Sequence, residues 1–185
     1  MRKLLLVFLF LILPPGMAWA NDGNMSTRAE RLMAVYVYNF TRYTNWPEGN
    51  ADHTATPHMA TRLAVLGRSP FGPALDEVAS KSPAESKLLV SYCRDMVCAQ
   101  DSDAVFFVAG SMSASSIRML LTAWSGKPLL TISDMPGFAD MGGMIELQRS
   151  KGRLTFRINM AVAGKANLHI SSQLLQLGEV VGIKP

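Results

Sequence analysis

The sequence predicts an α/β fold: a single-domain mixed β-sheet, partly parallel, flanked by helices, with a β-hairpin in its C-terminal half. Three observations predict it. Short apolar runs at 63–66, 88–92, 105–108 and 129–132 alternate with segments of helical periodicity, the signature of parallel strands joined through helices. Residues 144–147 and 154–158 alternate apolar with polar about Ser150-Lys151-Gly152, as hairpin strands do. No repeat, low-complexity tract or linker divides the chain, so residues 21–185 are expected to form one domain.

The elements follow in order. A first amphipathic helix opens at the capping-box spacing Thr27-Arg28-Ala29-Glu30 and carries Leu32, Val35, Tyr36, Phe40 and Tyr43 at helical intervals. Its end is expected near Trp46-Pro47, because the proline ring disfavours helix at the preceding residue. Residues 48–58 are polar, with Gly49, Asn50 and Asp52, and read as an exposed loop. Leu63-Ala64-Val65-Leu66, ended by Gly67, is a first buried strand, and Pro73 suits the first turn of a short helix over 73–80. Residues 88–92 form a second strand with Cys93 at its end, and Val105-Phe106-Phe107-Val108 a third. Ser111, Ser113, Ser115 and Ser116 offer N-caps for a helix bearing Ile117, Leu120, Leu121 and Trp124, with Gly126 as its stop. Residues 129–132 are a fourth strand, followed by the Gly- and Met-rich loop 134–143. After the hairpin, Asn159 caps a final helical region, interrupted near Gly164 and resuming at Ser171-Ser172 with Leu174, Leu175, Leu177 and Val180.

Met1-Arg2-Lys3, the apolar run 4–13 and the small-x-small site Ala18-Trp19-Ala20 read as a secretory signal peptide over 1–20, cleaved after Ala20. The run is shorter than the about 20 residues of a membrane span. Asn21-Asp22 rather than a cysteine follows it, so no lipid anchor is expected. The formal charge of +4 includes Arg2 and Lys3, and the other Lys and Arg are scattered, which leaves no footprint for nucleic acid. The two cysteines, Cys93 and Cys98, are candidates for a disulfide in an oxidising compartment. A bridge needs Cα atoms within about 7 Å, whereas five extended steps cover about 16–17 Å. The chain must therefore double back over 94–97. So small a loop contributes about 2 kcal/mol, which pins a local turn. Redox catalysis, the competing reading, favours C-x-x-C and a depressed thiol pKa.

His53, His58 and His169 lack acidic or thiol partners at metal-ligand spacing, and no nucleophile elbow, S-x-x-K or GK[ST] loop occurs. No metal, cofactor or catalytic site is expected. His53 and His58 read as solvated, and His169 as a stacking or capping group before the last helix. Gly67-Arg68-Ser69-Pro70-Phe71-Gly72 lies between a strand and a helix, where open α/β sheets bind ligands, with a structural turn as the competing reading. Loop 134–143 exposes soft side chains that suit either partner binding or packing over the sheet edge. The candidate partner- or ligand-facing residues are Met135, Phe138, Met141, Arg68 and Phe71. Tyr36, Phe40 and Tyr43 read as a helix face packed on the sheet. Arg153, Arg157 and Lys165 read as a solvated basic edge.

Several segments carry a resemblance when taken together. They are Asn39-Phe40-Thr41-Arg42-Tyr43-Thr44-Asn45-Trp46-Pro47, Val65-Leu66-Gly67 with Pro70-Phe71-Gly72, and Asp103-Ala104-Val105-Phe106-Phe107. They continue with Leu130-Thr131-Ile132-Ser133-Asp134, Gly137-Phe138-Ala139, Gly142-Gly143-Met144-Ile145, Gly152-Arg153-Leu154-Thr155-Phe156-Arg157-Ile158-Asn159 and Ile170-Ser171-Ser172-Gln173-Leu174-Leu175. In this order, and with the signal peptide, the chain resembles the YfiR-like family of periplasmic proteins. The resemblance implies a dimeric α/β regulator without enzymatic activity. It would bind the periplasmic sensor domain of an inner-membrane diguanylate cyclase and repress it, lowering cyclic di-GMP and with it exopolysaccharide and biofilm. It also implies an outer-membrane peptidoglycan-binding lipoprotein as a sequestering partner, and disulfides whose redox state affects stability. The cysteine pattern departs from that of some relatives. Ala64 and Ser102 stand where those have cysteines, and none lies near the hairpin, so redox control does not transfer by matching to Cys93 and Cys98.

Two other function classes compete with the inhibitory adaptor. A periplasmic small-ligand-binding module feeding a different membrane sensor requires loops 67–72 and 134–143 to flank one crevice at the strands' carboxyl ends. A thiol oxidoreductase requires a reactive thiol at Cys93 or Cys98.

Overall fold

The computed structural model describes residues 22–47, 60–150 and 153–182. The expected signal peptide, His53, His58 and the hairpin-turn residues Lys151 and Gly152 lie outside the described residues.

In chain order the elements are α1 (Asp22–Arg42), β1 (Thr44–Asn45), β2 (Ala60–Leu66), α2 (Ala74–Lys81), β3 (Lys87–Cys93), β4 (Ala104–Phe107), α3 (Ala114–Ala123) and β5 (Leu130–Ser133). There follow β6 (Ile145–Ser150), β7 (Arg153–Asn159), α4 (Met160–Lys165), β8 (His169–Ile170), α5 (Ser172–Leu175) and β9 (Glu179–Val181). Seven strands form one sheet in the order β3-β2-β4-β5-β6-β7-β9, and β1 pairs with β8 apart from it. Strands β2 to β6 run parallel. β7 folds back antiparallel on β6, and β9 runs parallel to β7. The chain thus adopts the mixed, partly parallel α/β sheet with a hairpin that its periodicity predicts.

Alternation along the strands builds two unequal faces. Leu63, Val65, Phe106, Ile132, Ile145, Leu147, Phe156 and Ile158 point to one side and form the main core with Met33, Val37 and Phe40 of α1 and Leu75 of α2. Phe40 meets Phe156 edge-on at 4.9 Å and Tyr36 meets it at 5.5 Å, so the aromatic stripe of the first helix is core, as expected. On the other side Ala64, Leu66, Val105 and Phe107 pack on Ile117 and Leu121 of α3 and on Phe138. Past β4 this second face turns polar, with Thr131, Ser133 and Glu146 all buried.

Local signals set several helix starts. Ser113 caps α3 by accepting from the Ser116 amide, and Asn159 caps α4 by accepting from the Val162 amide. Three expectations are corrected. Thr27 lies inside α1, which spans Asp22–Arg42 and stops before Trp46-Pro47 because Thr44 and Asn45 pair with Ile170 and His169. His169 is accordingly a strand residue, not a helix cap. Val180 leaves the last helix for β9, where it lies opposite Ile158 and pairs the otherwise open edge of β7.

Two glycines separate tight packing from open space. A Cβ on Gly143 would overlap the fully buried ring of Phe138, whereas one on Gly164 in α4 would meet nothing within 4 Å. Gly143→Ala is expected to destabilise by about 1–3 kcal/mol through overpacking, and Gly164→Ala to stabilise by about 0.4–1 kcal/mol by restricting the unfolded chain. Urea unfolding of both variants checks the contrast.

Candidate functional site

The polar half of the second face is roofed by loop 134–143, and side chains of β5, β6 and β7 hold it there. Glu146, 1% exposed, accepts from the amides of Gly137 and Ala139, both at 3.0 Å, and from Gln148 Nε2 at 3.0 Å. Arg157 lies directly across the hairpin from Glu146. Its guanidinium donates to both carboxylate oxygens of Asp140, at 2.8 and 3.0 Å, and Nη1 also reaches Glu146 Oε2 at 3.3 Å. Its Nε lies 3.6 Å from Glu179 of β9. Asn159 Nδ2 donates to the Ala139 carbonyl at 2.9 Å. At the loop's ends the Ser133 hydroxyl donates to the Phe107 carbonyl and accepts from the Met135 amide, while Thr131 accepts from the Met144 amide. A buried carboxylate held by two amides and a guanidinium is satisfied and acts as a strap.

Above this strap lies a soft apolar surface. Phe138 is fully buried and tilts against Phe107 at 5.8 Å, and Trp124 lies 5.9 Å from the same ring. Met96, Met112, Met135 and Met141 pack half-buried around them. Apart from this cluster, Met119 on the outer side of α3 and Val97 in the turn after β3 are 69% and 71% exposed. A cleft of about 200 Å³ between the end of α3 and α4 is lined by Trp124, Leu129, Met141, Met144, Val162 and Lys165. Exposed thioethers repack at small cost, so the surface suits a protein partner.

The five candidate facing residues separate. Met135 and Met141 stand together at the rim of this surface, with Phe138 beneath them. Phe138 packs inward because it fills the space beyond the edge of α3. Phe71 lies on the opposite side of the sheet, fully buried at 4.9 Å from Phe106, so neither ring presents surface in this conformation. Arg68 is exposed in the turn after β2. Loops 67–72 and 134–143 are separated by β4, which runs between β2 and β5, and by the turn that follows it. A Cβ on Gly67 would overlap Ser111, and the Ala109 amide donates to Asp134 Oδ1 at 2.7 Å.

Cys93 and Cys98 are bonded, with Cα atoms 5.6 Å apart. The doubling-back expected over 94–97 is made by Asp95, whose Oδ1 accepts from the amides of Val97 and Cys98. Arg153 and Lys165 are exposed, but Arg157 corrects the solvated-edge expectation, since its side chain is only 16% exposed and it is held by three carboxylates. Sequence reasoning missed the strap although a signal was present. With Ser150 opposite Arg153, counting outward along the hairpin sets residue 146 opposite 157, and period-2 alternation puts both on the same face. Among the described residues, no cluster of three or more His, Cys, Asp or Glu is placed to hold a metal. No described helix is long and apolar enough to cross a membrane.

The strap has a pH signature. Hydrogen bonds from Arg157 hold the Asp140 carboxyl below the usual carboxylate range. A carboxyl depressed in the folded state stabilises it above its unfolded pKa, about 3.9, and loses that contribution as pH falls through the lower folded value. The urea midpoint is therefore expected to hold down to about pH 4 and to drop below it, with a shallower acid limb in Asp140→Asn. Arg157→Ala leaves Glu146 buried without its cation and is expected to cost about 3 kcal/mol at pH 7.

No curated protein matches the chain. Among solved structures, the chain is similar to a conserved domain protein from Vibrio cholerae O1 biovar El Tor strain N16961, at 12% identity and a TM-score of 0.52. The match covers 82% of this chain and 59% of that one, so the chain spans less than two thirds of that chain's length, and at this identity the likeness concerns the fold. Residues 30–179 match the YfiR/HmsC-like family model, a span holding α2, α3 and the whole strapped loop, and the chain belongs to the YfiR/HmsC-like family.

Proposed function

We propose that this chain is a periplasmic regulatory adaptor, without enzymatic activity, that binds the periplasmic sensor domain of an inner-membrane diguanylate cyclase and holds the cyclase inactive. Membership of the YfiR/HmsC-like family over residues 30–179 carries the reading. The strapped loop supports it, since it offers half-buried Met135 and Met141 over Phe138, with Arg68, exposed in the turn after β2, as a further candidate. Inhibition then needs no turnover. Binding the inactive cyclase more tightly by about 3 kcal/mol biases its equilibrium roughly 100-fold. Cleavage of the signal peptide after Ala20, a homodimer, and release through an outer-membrane peptidoglycan-binding lipoprotein belong to the same proposal.

A small ligand feeding a different sensor is the second reading. It draws on a trough of about 380 Å³ at the carboxyl ends of β5 and β6, lined by Asp134, Glu146, Gln148 and Arg149 among others. That volume falls within the usual range for small-molecule sites, about 300–1,000 Å³. However, Asp134 and Glu146 already accept from backbone amides, Gln148 Nε2 donates to Glu146 and Arg149 Nη2 to the Met33 sulfur, so the polar groups of the trough are largely engaged with one another and with the backbone.

Calorimetry of the mature protein against the periplasmic domain of the diguanylate cyclase encoded nearest to it is expected to give a Kd in the micromolar range or tighter, weakened at least tenfold by Met135→Asp with Met141→Asp. Deleting the gene is expected to raise cellular cyclic di-GMP. Unchanged levels with the cyclase expressed would sink the adaptor reading.

A further inference from the structure

The outward side of α1 does not look like the outside of an ordinary surface helix. Arg28, Arg31, Leu32, Val35 and Arg42 are its exposed residues from 28 onward, and Asn39 is half-exposed among them. At about 100° per residue these six fall within a stripe about 100° wide, which runs about 21 Å along the axis. The stripe holds three arginines and no carboxylate, and Leu32 and Val35 at its middle are 45% and 43% exposed. The opposite side of the helix, with Met33, Val37 and Phe40, is fully buried in the main core. A helix that already buries one apolar face is expected to be polar on the other; here aliphatic residues sit between cations at helix-pairing spacing.

We propose that this stripe is a docking seam for an acidic amphipathic helix, one with aliphatic residues along its contact line and Glu or Asp beside them. Charge selects the occupant. A second copy would set arginine against arginine. Among the described groups, Glu77 of α2 lies 4.0 Å from Arg31 with both side chains about half exposed or more, so that pair is weak, and Glu30, beside Arg31 in the chain, turns toward Gly72 and away from the stripe. Leu32 and Val35 lie within the cationic stripe instead of opposite it, and no Trp or Phe accompanies them, which fits a helix better than a lipid surface. The proposal rests on the adaptor reading for the identity of the protein that carries the helix.

The test uses the mature chain and a synthetic 21-residue helical peptide with Leu at the seam positions and Glu beside them, whose like charges oppose its self-pairing. A matched peptide carries Lys for Glu. Fluorescence anisotropy is expected to show binding of the Glu peptide that weakens with salt, drops at least tenfold in Arg28→Glu/Arg31→Glu and in Leu32→Ser/Val35→Ser, and reverses its peptide preference in the first variant. Equal binding of both peptides, no loss in either variant, or binding to phosphatidylglycerol vesicles with none to the peptide would overturn it. The cyclase domain is titrated in parallel. If it binds wild type and Arg28→Glu/Arg31→Glu alike, the seam fails while the adaptor stands. If it binds neither and the peptide pattern holds, the seam stands and the adaptor reading fails.

Discussion

Glu146 opposite Arg157 is the contact on which the outer half of the sheet depends. Alternation along β6 and β7 that buries Ile145, Leu147, Phe156 and Ile158 in the main core commits Glu146 and Arg157 to the other face. An apolar helix laid there would leave a carboxylate and a guanidinium desolvated without enough partners. A loop supplies what a helix cannot, namely free backbone amides, and Gly137 and Ala139 give theirs to Glu146. The covering layer on this face is therefore split, with α3 over β2 and β4 and the loop over β5 to β7.

That division explains how a ten-residue segment lacking regular structure offers a defined surface. Each end and the middle of the loop is tied to a strand, through Ser133, Thr131, Glu146, Arg157 and Asn159. Phe138 then plugs the gap between loop and helix, with Gly143 kept bare so that the ring fits. Such a strap contributes less to net stability than its number of contacts suggests, because charged groups are desolvated to make it. Its effect is specificity of conformation, which fixes where Met135 and Met141 stand.

β4 and β5 were legible because burial on both faces leaves apolar runs that turn residues punctuate, and β2 and the edge strand β3, though partly exposed, also lie within a few residues of the runs that predict them. What the sequence hides is non-local. The end of α1 is set by a strand pair that joins residues 44–45 to 169–170, and β9 by the open edge of β7. The Met-rich loop was visible by composition, but Phe138 and Phe71 read as surface because the layers that cover them are distant in the chain. Arg157 shows the reverse case. Counting hairpin register outward from the turn pairs it with Glu146 by arithmetic alone.

The two outward surfaces differ in kind, and an adaptor has use for the difference. On α3 the large exposed apolar group is the Met119 thioether, and on the strapped loop Met135 and Met141 are half-buried; such side chains adapt to a partner's shape and carry little orientational information. Along α1 they are branched aliphatics spaced between guanidinium groups, where a shift of one helical turn would misplace both the apolar contact and the charge. Inhibition by population shift demands that contacts differ between a partner's two states, not merely that they be numerous. A soft surface alone would tolerate both states. In the proposed adaptor, the proposed seam on α1, across the sheet from the strapped loop, would supply the discrimination, and Phe40 packed on Phe156 ties that helix to the sheet.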